Sequence, residues 1–303
     1  MTTAEAYAFC RDVARREAKN FYWAFQVLPR AKSDAMCAVY AFMRRADDLS
    51  DDETRSLEQR RALMTDWVAR WRGFLEGKTG GKDEAVFLAL GDAQQRFEVP
   101  QGLLEELVEG VTMDLQPRVA GADGLQTFVT FEDLYRYCYL VASVVGLVCI
   151  RIFGYTDARA EEFAEETGIA FQLTNILRDV KEDADRGRVY VPEEMMAEFG
   201  VPMARVLALS GGAEMSPEER AMLATLAVRA ERYYGSARKL IPLLDRDSRA
   251  AMWVLTKIYH RLLDRIAAGK MEVFSKRVSV PTWEKAAILL RGAMMATWNR
   301  VLG

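Results

Sequence analysis

Apolar residues recur every three or four positions along most of this chain, and prolines and glycines fall between the periodic stretches rather than inside them. The pattern predicts helices near residues 4–20, 31–50, 56–76, 83–96, 101–115, 131–153, 158–185, 217–240, 246–268 and 282–301. Several starts are marked by chemistry as well as by period. Ser216-Pro217-Glu218-Glu219 offers an N-cap hydroxyl, a proline whose missing N–H costs nothing at the first helical position, and a capping-box glutamate. Thr130-Phe131-Glu132-Asp133 is a weaker version of the same signal. Pro29, Pro100, Pro192, Pro202 and Pro281 sit at or near helix starts or loops. Strand pattern is confined to Val189-Tyr190-Val191 and a weak alternation from Val273 to Val280. The loop Gly77-Lys78-Thr79-Gly80-Gly81-Lys82 is too short to separate domains, and no fixed-period repeat is present. The expectation is one all-α domain over residues 1–303.

Composition narrows the chemistry. At 303 residues, 50% hydrophobic and 28% charged, the chain has an ordinary globular balance and can bury a sizeable core. A net charge of −3 gives no basic field for nucleic acid. The first nine residues lack the basic and apolar regions of a signal peptide. The longest apolar run, Tyr137 to Ile150, falls short of a membrane span and is interrupted by Ser143 and Gly146, so it reads as a buried helix. The expected location is the cytoplasm. Cys10, Cys37, Cys138 and Cys149 lie in apolar helical stretches without C-x-x-C spacing, which suits reduced, packed thiols. A single histidine, His260, excludes paired E-x-x-H di-iron sites and H-E-x-x-H zinc sites. No G-x-G-x-x-G follows a strand pattern.

Two acidic runs change the picture. Asp47-Asp48-Leu49-Ser50-Asp51-Asp52 and Asp179-Val180-Lys181-Glu182-Asp183 each place carboxylates four residues apart, on one helix face. Like charges at that spacing cost a few tenths of a kcal/mol, and most single D-x-x-x-D pairs are solvated surface. Here the motif occurs twice, and Gln172, Asn175, Asp179 and Asp183 form a polar stripe on a helix otherwise rich in Ile169, Ala170, Leu173 and Leu177. Such oxygens suit Mg²⁺, which takes one or two carboxylates and leaves its other positions to water or phosphate. Arg44 and Arg178 stand beside the acids, either to grip phosphate oxygens or as salt-bridge partners of the neighbouring aspartates. Phe21, Tyr22, Trp23, Phe25, Tyr40, Tyr137 and Tyr259 recur near the same blocks, and ring faces of this kind either fill a core or stabilise a passing carbocation. Ala142, Ser143 and Gly146 keep one helix face slim, which leaves room for an apolar channel.

These blocks resemble the squalene and phytoene synthase family, whose members join two prenyl diphosphates head to head. The resemblance rests on Lys19-Asn20-Phe21 before Leu28-Pro29, on Tyr40-Ala41-Phe42-Met43-Arg44-Arg45-Ala46-Asp47-Asp48-Leu49-Ser50-Asp51, on Tyr137 through Gly146, and on Gln172 through Val180 running on to Gly187-Arg188-Val189-Tyr190-Val191-Pro192. Its implications are an all-α isoprenoid-synthase bundle around a central apolar channel and a prenyltransferase of the farnesyl-diphosphate farnesyltransferase type. Asp47, Asp48, Asp51, Asn175, Asp179 and Asp183 would hold Mg²⁺, with Mn²⁺ as a substitute. Lys19, Asn20, Phe21, Phe25, Tyr40, Arg44, Gln172, Arg178, Tyr190, Tyr259 and Arg277 would bind substrate. Tyr137 would act during cyclopropane closure, beside the catalytic acids Asp47, Asp51, Asp179 and Asp183. One departure stands out: Ala18 and Asn20 flank Lys19 where the family usually carries hydroxyl residues.

The expected reaction is condensation of two farnesyl diphosphates to presqualene diphosphate and on to squalene or a related C30 product. The family counterpart using geranylgeranyl diphosphate, phytoene synthase, is the alternative. An all-α Mg²⁺-dependent nucleotide pyrophosphohydrolase is the rival from another class. The last cation is quenched by hydride from NADPH, by water or by proton loss, and the residues leave that choice open, as they do the oligomeric state. Prenyl diphosphates are the expected partners, together with a peripheral contact at the inner membrane for release of a lipid product.

Overall fold

A computed structural model of the chain describes residues 1–78, 81, 83–113, 115 and 126–301; the side chains of residues 19, 20 and 299–301 lie outside that description. The helices are α1 (Thr3–Glu17), α2 (Lys19–Gln26), α3 (Arg30–Ser50), α4 (Leu57–Leu75), α5 (Glu84–Arg96), α6 (Gln101–Met113), α7 (Phe131–Cys138), α8 (Val144–Phe153), α9 (Arg159–Asp185), α10 (Glu193–Glu198), α11 (Met203–Ser210), α12 (Pro217–Leu240), α13 (Arg249–Ala268) and α14 (Thr282–Val301). Capping boxes close the starts of α1, α4, α7 and α12, where Thr2, Ser56, Thr130 and Ser216 accept from the backbone three residues on. The all-α expectation holds.

Four differences from the sequence reading have physical causes. The stretch expected as one helix over 4–20 breaks at Ala18, whose N–H closes α1 on the Ala14 carbonyl, and α2 begins at the next residue. The helix expected over 131–153 contains a π-turn at Tyr139–Ser143, in which one residue is looped into the ladder without ending it. By length and composition Phe131–Phe153 could cross a membrane, contrary to the expectation from the shorter apolar run, yet over half of its most apolar 18-residue stretch is buried within the bundle. Val189–Val191 and Val273–Val280 form no named strand. Val189 N–H donates to the Gln126 carbonyl at 2.8 Å and Gln126 N–H to Gly187 at 2.9 Å, an isolated parallel bridge.

Aromatic packing anchors one half of the core. Phe42 lies 4.6 Å from Trp67 and 5.3 Å from Trp71, and Phe87 completes the group 5.4 Å from Trp71. Phe42, Trp67 and Trp71 are among the largest fully buried side chains, so their area dominates the hydrophobic stabilisation of α3, α4 and α5. The other half gathers around α9, where Leu134, Ile169, Leu173, Leu226, Tyr234 and Ile266 are buried together. Small residues set how closely α9 approaches its neighbours. A Cβ on Gly168 would lie 2.5 Å from the Ser143 Cα, and Ser143 Oγ donates to the Glu165 carbonyl at 2.6 Å. Ser143 therefore ties the π-turn to α9 instead of facing the channel.

Candidate active site

The acids reach their places through helix ends. α3 stops at Ser50, with Asp51 N–H bonded to the Asp47 carbonyl at 2.9 Å, so Asp47, Asp48 and Asp51 crowd its last exposed turn. α9 runs to Asp185, and Gly187, at φ +72°, turns the chain back so that Val189 to Val191 pass beside α7. That turn delivers Tyr190 to Tyr137.

A cavity of about 500 Å³ lies between α2, α3, the α7–α8 segment, α9 and α13. Its polar end presents Asp47, Gln172, Asn175 and Arg178; its interior is walled by Phe25, Met36, Val145, Phe153, Met252 and Leu255. Ala142 and Gly146 line it as the slim face requires, and Phe21, Tyr40, Tyr137 and Tyr259 contribute rings. An amphipathic molecule with an anionic head and a long apolar tail matches this polarity.

At the polar end the arginines are engaged with carboxylates. Arg178 grips Asp179 with two donors, Nε at 2.8 Å and Nη2, and Arg277 Nη2 reaches the same carboxylate at 2.9 Å. Burial alone would raise Asp179, but the hydrogen bonds from Arg178 and the two guanidinium charges outweigh it and hold the carboxyl below its ordinary value. Glu182, raised by burial and by its hydrogen bond to Asp179, faces Arg277 at 3.4 Å. Arg44 Nη2 pairs with Asp48 at 2.7 Å. The salt-bridge reading of both arginines is thus the arrangement in the ligand-free chain.

Two buried polar atoms mark where a ligand would complete the site. Arg44 Nε has no hydrogen-bond partner. The Asn175 amide donates to Gln172 Oε1 at 3.4 Å and stands next to the Tyr259 phenol, yet its oxygen has no hydrogen bond of good geometry. Among the described residues no three histidine, cysteine or carboxylate side chains converge as a preformed cage. A hard cation completing its shell with phosphate oxygens fits this donor set better than a resident ion does.

Aromatic rings continue inward. Tyr259 stacks on Phe171 at 4.4 Å and lies 5.8 Å from Phe21. Tyr137 and Tyr190 are 5.2 Å apart, with the Tyr137 hydroxyl donating to that of Tyr190 at 3.3 Å and Phe128 within 6 Å of both. Burial pushes the Tyr40 phenol up to about 12, so it remains a donor at neutral pH.

The structure therefore brings Asp47, Gln172, Asn175, Arg178, Phe21, Phe25, Tyr40, Tyr137 and Tyr259 to one cavity. Asp48, Asp51, Asp179, Asp183 and Arg44 stand on the same helices but outside its lining, Arg277 reaches it only through Asp179, and Tyr190 lies behind Tyr137. Lys19 and Asn20 open α2, with side chains outside the described residues. Trp23, one of the rings that recur near the acidic blocks, points to solvent, while Met36 lines the wall. Sequence reasoning missed Phe171 and Glu182. Phe171 is adjacent to Gln172 in the polar block, but only the fold shows its stack on Tyr259.

The comparisons with known proteins agree with this geometry. A 15-cis-phytoene synthase of Synechococcus elongatus is 34% identical, the match covering 97% of this chain and 94% of that one. A phytoene synthase of Mycobacterium tuberculosis is 34% identical over 94% of this chain and 89% of its own. A dehydrosqualene synthase solved with a ligand superposes with a TM-score of 0.80 at 30% identity, covering 98% of each chain. The pattern of the squalene/phytoene synthase family matches residues 14–284, and the chain belongs to that family of head-to-head prenyl diphosphate condensing enzymes.

Proposed function

We propose that this protein joins two geranylgeranyl diphosphates head to head to give phytoene. The observation behind the reaction class is the apolar cavity ending at Asp47, Asn175 and Arg178. The C20 substrate comes from the relatives: the two curated proteins described above are both phytoene synthases aligned over nearly the whole chain, which moves the reading away from the farnesyl substrate first expected. A nucleotide pyrophosphohydrolase has no use for so long an apolar wall.

In this reading Mg²⁺, when bound with the diphosphate, neutralises the leaving group. Arg178, Arg277 and Arg44 exchange their carboxylate partners for phosphate oxygens, a trade between two bidentate acceptors. The walls exclude water from the allylic cation that follows, while Tyr259, Phe171, Phe21 and Tyr137 offer ring faces. Proton loss ends the sequence, so no reductant is needed for this product.

Tyr137 is assigned the cyclopropane-closing stage. Tyr137→Phe keeps the ring and loses the hydroxyl that contacts Tyr190, and it should lower turnover by roughly ten- to a hundred-fold. Tyr137→Ala should lose the ring as well and fall further. Product analysis by mass spectrometry checks this; wild-type rates in both variants would make Tyr137 ordinary core.

A farnesyl-specific enzyme is the second reading, favoured by Phe25, buried and lining the channel where a longer tail would need room. Offering the purified enzyme C15 and C20 diphosphates together, with Mg²⁺, separates the two. The expected outcome is predominantly C40 hydrocarbon, with Phe25→Ala raising the C40-to-C30 ratio by roughly ten-fold. Mostly C30 product from the wild type would install the second reading. No hydrocarbon from either substrate would overturn both.

A further inference from the structure

Helix α14 carries an apolar face that the bundle does not cover. Trp283, Leu290, Met294 and Trp298 are 71%, 65%, 57% and 68% exposed. Their spacings of 7, 4 and 4 residues align them in one stripe along the helix, and the other exposed positions of that arc are small. Scattered exposed apolar residues are ordinary; a continuous stripe with a tryptophan near each end is not. The opposite face is a normal core face, with Ile288 and Leu289 packed against Ala24, Val254, Leu255 and Ile258. α14 is therefore seated in the fold and still presents its second apolar side to solvent.

Charge says what covers it. Residues 246–303 hold 11 Lys and Arg against 4 Asp and Glu, a net of +7, so the remaining 245 residues carry 30 against 40, a net of −10. The sole acid of α14, Glu284, is only 7% exposed and is consumed by Arg261 Nε at 2.9 Å and by Arg265. α14 thus offers no free negative group, while Arg291 beside the Trp253 ring and Lys257 on the adjoining α13 are both exposed. α2, which α14 packs on, adds Trp23 at 57% exposure. Tryptophan favours the boundary between headgroups and acyl chains, and basic residues favour anionic headgroups.

We propose that the outer face of α14, with Trp23, docks this protein onto an anionic bilayer surface, the helix lying in the plane of the headgroups. Leu255, against the inner side of α14, also lines the prenyl cavity, so a docked α14 sets that cavity one helix layer from the lipid in which prenyl chains dissolve. Negative lipid attracts the exposed Arg291 and Lys257 beside this face, and the net −10 of residues 1–245 gives the rest of the chain no comparable attraction.

The test is co-sedimentation of the full chain with vesicles of phosphatidylcholine, with and without added phosphatidylglycerol, in the absence of any prenyl diphosphate. Pelleting should require phosphatidylglycerol, weaken at high salt, and be accompanied by a blue shift of tryptophan fluorescence. The double substitution Leu290→Glu with Trp298→Ala should reduce partitioning by roughly ten-fold or more. Trp283→Ala alone should cause a smaller loss. Turnover of detergent-dispersed substrate should remain at the wild-type level in these variants, establishing that they fold. Wild-type protein that ignores both vesicles, or variants that pellet as well as wild type, would overturn the proposal. So would a dimer in sedimentation equilibrium that dissociates on Leu290→Glu while vesicles go unbound, which would assign the face to a second copy of the chain. Because binding is read without substrate, a failure here leaves the prenyl-transfer reading standing, and the converse holds.

Discussion

Asp47→Asn and Asp179→Asn should each lower turnover by roughly 10²–10³-fold, because Asp47 lines the end of the cavity and Asp179 is bonded to the lining Arg178, and each substitution removes a negative oxygen near where a diphosphate's charge must be balanced by metal. Their effects on stability should differ. Asp47 is exposed at the end of α3, so its amide variant should melt like the wild type. Asp179 is the shared partner of Arg178 and Arg277, and its variant leaves a half-buried guanidinium without its bidentate acceptor. A loss of about 1–2 kcal/mol is expected there, less than for a fully buried pair because Arg277 is more than half exposed. The pH dependence follows the sign of the shift. Asp179 is held low, so its contribution is present above the ordinary carboxylate range and disappears only as pH falls through the depressed value. Steady-state rates across a Mg²⁺ titration, with thermal melts of the same samples, check both parts. Undiminished activity in excess EDTA would remove the metal from the scheme.

Gly168→Ala should be among the more damaging single-methyl changes at the described glycines, and the one that couples stability to the cavity. The added Cβ would sit 2.5 Å from the Ser143 Cα and 2.7 Å from its backbone nitrogen, and neither is the end of a flexible side chain. Either α9 or the π-turn must move, at a cost of ~1–3 kcal/mol or more for overpacking a filled contact. Gly168 also lines the cavity, and the displaced segment carries Tyr137 and Ala142, so catalysis should fall with stability. Gly102→Ala, on α6 with no atom within 4 Å of the new carbon, is the control and should be neutral or slightly stabilising. Thermal denaturation and turnover of the two variants decide it; a Gly168→Ala protein indistinguishable from Gly102→Ala would mean that the α9 contact yields freely.

The long helices were legible in the sequence because their apolar faces are buried against neighbours, and burial is what the period records. α12 and α14 start and stop where their caps and patterns place them. α10 and α11 escaped notice because, at 6 and 8 residues, they hold too few turns to show a period, although Pro192 and Pro202 marked their first turns. The α1–α2 break was hidden because Phe21 and Phe25 continue the helical spacing across Ala18. The acidic runs and polar stripe could be read because four-residue spacing is a local property. The reach of Arg277 to Asp179 spans 98 positions, and no local pattern encodes it. The same holds for the stack of Phe171 on Tyr259.

The π-turn at Tyr139–Ser143 bears on inheritance as much as on shape. One looped-out residue rotates everything before it by about 100° relative to everything after it. Tyr137 meets Tyr190 on one side of that offset while Gly146 meets α9 on the other. Deleting the codon for Leu140 would restore a regular helix and swing the tyrosine away from its partner without removing one side chain that lines the cavity. Descendants of this chain are thus free to vary many letters of the segment and are held to its length.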